Sequence, residues 1–159
     1  MSMLASCSQV ADSRLLVMDN PACNAYCLSN AEDRALAEAA GWARQTLPLS
    51  PSLIQAALAA VMYAEVELLT DTAAVVSSGG KASRRKYVVD HDTCTCPAFS
   101  TAPDGLCKHR AAVAIARCAY AITRKLVADP AHMALLHRGC PAHLPRRKVN
   151  YNDGPCWSY

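Results

Sequence analysis

The sequence predicts an α+β fold: a β-hairpin and a following helix, ββα, with two further helices packed on the unit from the N-terminal side and an irregular tail after it. Three observations predict it. Windows 30–46 and 51–69 carry helix signals; "TAAVVSS" and "RRKYVVDH" read as short strands on either side of Gly79-Gly80. Between the second strand and a third helix, 108–127, stands "CTCPAFSTAPDGLCKH", which places Cys94, Cys96, Cys107 and His109 at C-x-C-x10-C-x-H. The organisation this implies is a helical region 1–69, a central unit 70–127 and a basic tail 128–159, which together make one domain with extensions and a modest core.

Each element has a local reason. Residues 1–28, which hold Cys7, Cys23 and Cys27, show no period and are expected to be loop. Ser29 followed by Glu32 is a capping box, so the first helix is expected from about residue 30. Ser50 suits the next N-cap and Pro51 the first helical position, where a missing N–H costs nothing. That helix is expected to run to Leu69; Gln55, Glu65 and Glu67 make "LIQAALAAVMYAEVELL" amphipathic rather than membrane-spanning. Pro130 is expected to end the regular region, since the last stretch, from Arg138 onward, has three prolines, two glycines and little period.

Three thiols and an imidazole in two tight pairs point to a metal. Zinc takes four such ligands in a tetrahedron, and a site with four protein ligands is closed and structural. On a regular strand Cys94 and Cys96 would face opposite ways, so the chain must turn between them; Pro97 fits a strand that has ended. Residues two apart on a helix do not face each other either, so Cys107 and His109 must straddle the helix start. "PAFSTAPDG", with two prolines and Asp104-Gly105, suits the connecting loop. Binding deprotonates three thiols, so the loaded site carries about −1 and the chain's +3 becomes about +2.

With C-x-C, a variable loop and C-x-H set between a hairpin and a helix, the segment resembles a SWIM zinc finger. Ala112 extends the match to the C-x-C…C-x-H-x-x-A form of a subgroup linked to homologous recombination, and Phe99 and the "KYVVD" strand are also similar. Related fingers occur in chromatin-remodelling ATPases, Mutator-type transposases, a kinase of the MAP-kinase cascade and small bacterial proteins. The resemblance covers residues 70–125 and implies binding of nucleic acid or protein.

Charge is divided unevenly. Residues 1–78 carry three basic and eight acidic side chains, a net of −5; residues 79–159 carry thirteen and five, a net of +8. Arg110, Arg117 and Arg124 recur every seven residues and should form one helix stripe, opposite Ala112, Ile115, Ala119, Ile122 and Leu126. Lys108 and Lys125 flank it; Lys81, Arg84, Arg85 and Lys86 open the second strand, and Arg146, Arg147 and Lys148 lie in the tail. A lone stripe is usually a solvated face, but three clusters of one sign around an ordered finger are a footprint for phosphate. DNA is expected over RNA. Tyr87 and Phe99 are expected in the core, with stacking on unpaired bases as the alternative.

Cys118, eleven residues from Cys107, would sit roughly 16 Å along a helix from it, too far to share the ion. Cys23 and Cys27 are spaced as half of a second set, which Cys7 or the tail's Cys140, His143 and Cys156 would complete, but no second pair of doublets is as tight as the first. His91 and His132 carry no signal. Nine cysteines without a secretory signal point to a reducing, intracellular compartment: cytoplasm in a bacterium or phage, nucleus in a eukaryote. There is no Ser-His-Asp order, no H-E-x-x-H and no glycine-rich phosphate loop, so no enzyme is expected. The sequence therefore favours a zinc-stabilised nucleic-acid-binding accessory module in recombination, repair or mobile-element function. The competing expectation is a protein-interaction adaptor that docks its partner on the N-terminal helices.

Overall fold

The computed structural model describes residues 21–78, 85–138 and 140. Its elements are α1 (Pro21–Thr46), α2 (Pro51–Met62), β1 (Val66–Leu68), β2 (Ala74–Ser78), β3 (Arg85–Asp90), β4 (Thr93–Cys94), α3 (Lys108–Ala128) and α4 (Pro130–Arg138). Two short 3-10 turns, Pro97–Thr101 and Pro103–Gly105, bridge β4 to α3. The strands form one antiparallel meander in the order β1-β2-β3-β4, with Val66 opposite Val76, Val76 opposite Tyr87 and Val89 opposite Cys94. Over the described residues the fold is thus α+β with four helices and four strands, larger than the expected hairpin and three helices.

α1 begins at Pro21 and not at residue 30, so Ser29 is an exposed mid-helix residue and no cap. The reason is tertiary. Cys27, Ala31, Ala35, Ala39 and Ala43, one every four residues, are all fully buried and draw the helix back past the local start signal. Their small size lets α1 lie close against α3, which presents Ala111, Ala112 and Ile115, all fully buried in the same cluster as Ala39, Ala40 and Ala43. α2 closes this cluster with Ile54, Ala57 and Leu58.

At α2 the Ser50 cap forms as expected: its Oγ accepts from the Leu53 N–H at 3.4 Å. The helix stops early, at Met62. Ala64 adopts a left-handed conformation (φ 53°), its N–H donates to the Val61 carbonyl and the Glu65 N–H to the Ala60 carbonyl. This is a Schellman stop built on alanine where glycine is usual. Residues 66–68 are then free to pair as β1, and Val66 and Leu68 turn onto the second core with Ala74, Val76 and Val89.

α4 is the other departure. Pro130 opens a helix rather than ending the fold. Asp129 accepts the Ala131 N–H on Oδ1 (2.9 Å) and the Met133 N–H on its carbonyl (2.9 Å), so proline falls at the first helical position, where it is tolerated. α4 packs back on α1 and α3 through Met133 and Cys140, next to Cys27, Tyr26, Val127 and Leu136. No helix among the described residues is long and apolar enough to cross a membrane.

Candidate metal centre

Four side chains converge on one point. β4 delivers Cys94 as its last residue. The chain then leaves the sheet, and the kink is held by Thr95: its N–H donates to the Val88 carbonyl (3.0 Å) while its Oγ1 accepts the Val88 N–H (3.0 Å). Cys96, extended at φ −76° and ψ 148°, precedes the first 3-10 turn, in which Pro97 takes the first position. Cys107, extended at φ −82° and ψ 168°, is the residue before α3, and His109 is the second residue within it. The strand end and the helix start supply the two changes of direction that the tight spacings demand.

The four side chains are all buried, at 4–5 % exposure, and their ligand atoms lie within 4.8 Å of one another. A zinc tetrahedron, with Zn–S of about 2.3 Å and Zn–N of about 2.0–2.1 Å, has edges of ~3.6–3.8 Å. Cys94 Sγ stands 4.0 Å from His109 Nδ1, so the cage needs only a small contraction to close on an ion. The histidine ring leans on Tyr87 (centroids 4.6 Å apart), and its Nε2 is buried with no hydrogen-bond partner among the described residues. Polar groups are costly here unless a partner satisfies them. The donor set fits a metal ion, and its sulfur-rich chemistry suits zinc.

The thiols are unlike one another. Burial pushes Cys94 up to about 12, and burial likewise raises Cys96. Burial acts on Cys107 too, but hydrogen bonds from His109 and the Arg110 backbone N–H, with Cys96 and Cys94 adding to them, hold it down at about 6. Its place at a helix N-terminus favours the thiolate in the same sense. Cys107 is the thiol best prepared to ligate, and an ion bound here would displace protons from Cys94 and Cys96. Four protein ligands would complete a tetrahedron, the donor count of closed zinc sites.

One residue organises the loop between the two ligand pairs, in a role beyond the helix stripe expected of it. Arg110 donates through Nη1 to the Gly105 carbonyl (2.6 Å) and through Nη2 to the His91 carbonyl (3.2 Å) and Asp92 Oδ1 (3.3 Å). Its guanidinium also lies 6.0 Å from the Phe99 ring centroid, and only 13 % of the side chain is exposed. Gly105 (φ +63°) is packed so closely that a Cβ would sit 3.3 Å from Phe99 Cε2 and 3.4 Å from Arg110 Nη1. The sequence signal was adjacency: an arginine directly after C-x-H, five residues from a glycine that must turn left-handed.

The expected arginine stripe is not one exposed face. Val113, buried against the cysteines and the sheet, shares a sector of α3 with Arg110 and Arg117, so both turn toward the sheet. Nε and Nη2 of Arg117 are buried with no hydrogen-bond partner among the described residues, and burial lowers its pKa against the pull of Asp71 and Asp90. Arg124 is exposed and lies over Tyr120, 6.0 Å from the ring centroid. Arg85, Lys86 and Lys125 are exposed and Lys108 is half-buried. Arg84, Lys81 and the tail's Arg146, Arg147 and Lys148 lie outside the described residues. Tyr87 and Phe99 pack at the edge of the second core.

Of the remaining candidates, Cys118 is half-buried against the helical core. His91 Nδ1 pairs with Asp92 Oδ2 at 2.8 Å, and His132 is buried with Nδ1 3.4 Å from Arg34 Nη1. Cys7, His143 and Cys156 lie outside the described residues. Comparison with protein-family models, with curated proteins and with solved structures finds no match.

Proposed function

We propose that the chain is a zinc-stabilised nucleic-acid-binding module of SWIM type, with DNA as the preferred partner and an accessory role in recombination, repair or mobile-element function. The observation that carries the reading is the buried Cys94, Cys96, Cys107 and His109 quartet at a strand–helix junction, set in the half of the chain that carries +8. Zinc clamps β4 to the start of α3; it supplies no catalysis, and the protein is no enzyme in this reading. Arg85 and Lys86 on β3, Lys108 beside the site and Arg124 and Lys125 on the last turns of α3 provide phosphate contacts, joined by Arg84 and the basic tail. Arg110 and Arg117 contribute long-range field rather than direct contact, because their guanidinium groups are held inside the fold. Such contacts fix position without reading base edges, so affinity is sensitive to salt and tolerant of sequence. Fluorescence anisotropy with random duplex and single-stranded DNA at low salt tests this. Micromolar or tighter binding that weakens steeply as salt rises supports it; no binding at micromolar protein refutes it.

One observation favours the alternative of a protein-interaction adaptor. Met62 and Tyr63 are 68 % and 78 % exposed at the end of α2, beside a groove lined by Leu49, Ile54 and Leu58. In that reading the zinc is purely structural and the groove docks an apolar segment of a partner. Light scattering and partner capture with and without a Tyr63→Ser change discriminate it from DNA binding.

A further inference from the structure

We infer that α2 carries a self-association surface, on which a second copy of this chain docks through a two-fold contact. α2 is exposed along one side, yet from Pro51 to Ala64 the chain has no charged residue, whereas α1 and α3 carry five each. A helix face that meets water is normally charged or polar. Here Leu53, Met62 and Tyr63 are 39 %, 68 % and 78 % exposed, and Ala56 lies between them on the same open side. A contiguous apolar surface of this kind marks an interface.

The shape and charge of the patch identify its occupant. Met62 and Tyr63 protrude at the end of α2, and they border a groove lined by Arg44, Leu49, Ile54 and Leu58. Projection and groove therefore lie side by side on one surface. A two-fold axis through such a surface makes it self-complementary, with the Tyr63 of each copy entering the groove of the other. The charges fit the same pairing. Arg44 is exposed at the groove, while Glu65 and Glu67 follow Tyr63 and flank Val66 on the face of the strand turned away from the core. None of the three makes an ion pair among the described residues. With Tyr63 seated across the axis, these carboxylates come beside the partner's Arg44, and the contact forms twice.

The described chain begins at Pro21 and ends at Cys140, which packs with Cys27, about 26 Å along α1 from Arg44 by helix rise. The groove thus lies at the far end of α1 from both ends of the described chain, which favours a second copy over a segment of the same chain. The surface belongs to the acidic half of the sequence, so the pairing is independent of DNA binding. It gives the groove a second copy in place of a foreign apolar segment.

Size-exclusion chromatography with light scattering on the full-length chain, under reducing conditions, tests the pairing. The mass should rise through the micromolar range toward twice the 17.0 kDa of one chain. Tyr63→Asp should weaken association roughly 30-fold or more, as loss of a central aromatic anchor does. Ala56→Arg, on the open side of α2 and away from its stop, gives the same reading if the Tyr63 variant fails to fold. Arg44→Glu should weaken association too, and adding Glu65→Arg and Glu67→Arg to it should restore the dimer, which a nonspecific apolar surface would not do. A mass of one chain at every concentration, or a dimer that survives both Tyr63→Asp and Ala56→Arg, overturns the pairing and leaves the groove to a segment of the same chain or to another protein. No nucleic acid is present in this experiment, so its outcome is separate from that of the DNA-binding reading.

Discussion

Replacing Arg110 with alanine should weaken zinc binding without touching a ligand. Arg110 holds the Gly105 carbonyl through a charged hydrogen bond at 2.6 Å, and a bond of that kind contributes about 1.5–3 kcal/mol. The ion pair with Asp92 adds less than about 1 kcal/mol, because the carboxylate is 72 % exposed and screened by water. The contact over Phe99 adds about 0.5–1 kcal/mol. The total is about 2–5 kcal/mol, most of it in the loop whose closure brings Cys96 to Cys107. If that loop is ordered only in the loaded protein, the loss appears in zinc affinity, at ten-fold for each 1.4 kcal/mol, or roughly 30- to 4,000-fold. Competition against a chromophoric chelator reads the change directly, with Arg124→Ala as the control, since Arg124 is exposed and far along α3. An Arg110→Ala protein that holds zinc as tightly as the control would refute the claim that this side chain organises the site.

Further consequences follow from the same geometry. Gly105→Ala should cost about 1–2 kcal/mol through its left-handed φ, plus the displacement of Phe99 or Arg110, read as a lower zinc affinity and melting temperature. Ala64→Gly should raise the stability of the chain by about 0.5–1 kcal/mol in urea titration, because glycine adopts the left-handed stop of α2 without the Cβ penalty. Ala112→Leu should cost about 1–3 kcal/mol in the same assay, since it wedges the close α1–α3 contact apart. Proton release on zinc binding should depend on pH. Above the lowered Cys107 value of about 6 that thiol is already ionised, so zinc at pH 7.5 displaces about two protons, from Cys94 and Cys96. Below about 6 all three thiols start protonated and the number rises toward three, so affinity falls more steeply with acid there; an indicator dye in weak buffer counts the protons. A constant release across this range would contradict the picture of one ionised and two protonated thiols.

The ligand set was legible because its chemistry is local: residue type, spacing and the turn residues between the pairs all sit within 94–109. The Ser50-Pro51 start of α2 and the hairpin strands were legible for the same reason. Where the outcome depended on what packs against what, the sequence misled. Ser29-x2-Glu32 is a sound local start, but Cys27 and the alanine series behind it extend the helix because α3 and α4 cover that face. Ala64 gave no stop signal, since alanine rarely adopts the left-handed conformation; the stop exists because Val66 and Leu68 gain more by joining the sheet and its core. Pro130 reads locally as a terminator, yet Asp129 before it is a cap, and the two together begin a helix. The seven-residue arginine period identified a common face correctly, but a period cannot say what covers a face. Val113 in the same sector assigns that face to the sheet, and Arg110 and Arg117 go with it.

Native mass spectrometry of the full-length chain beside its Cys107→Ser variant addresses the clamp between β4 and α3 most directly. The expected difference is the mass of one zinc ion, accompanied in the variant by fast hydrogen exchange across 94–109 while the α1–α2–α3 helices stay protected. Equal metal content in the two proteins, with equal protection of that loop, would mean that the cysteine–histidine quartet holds no ion and that the finger stands without one.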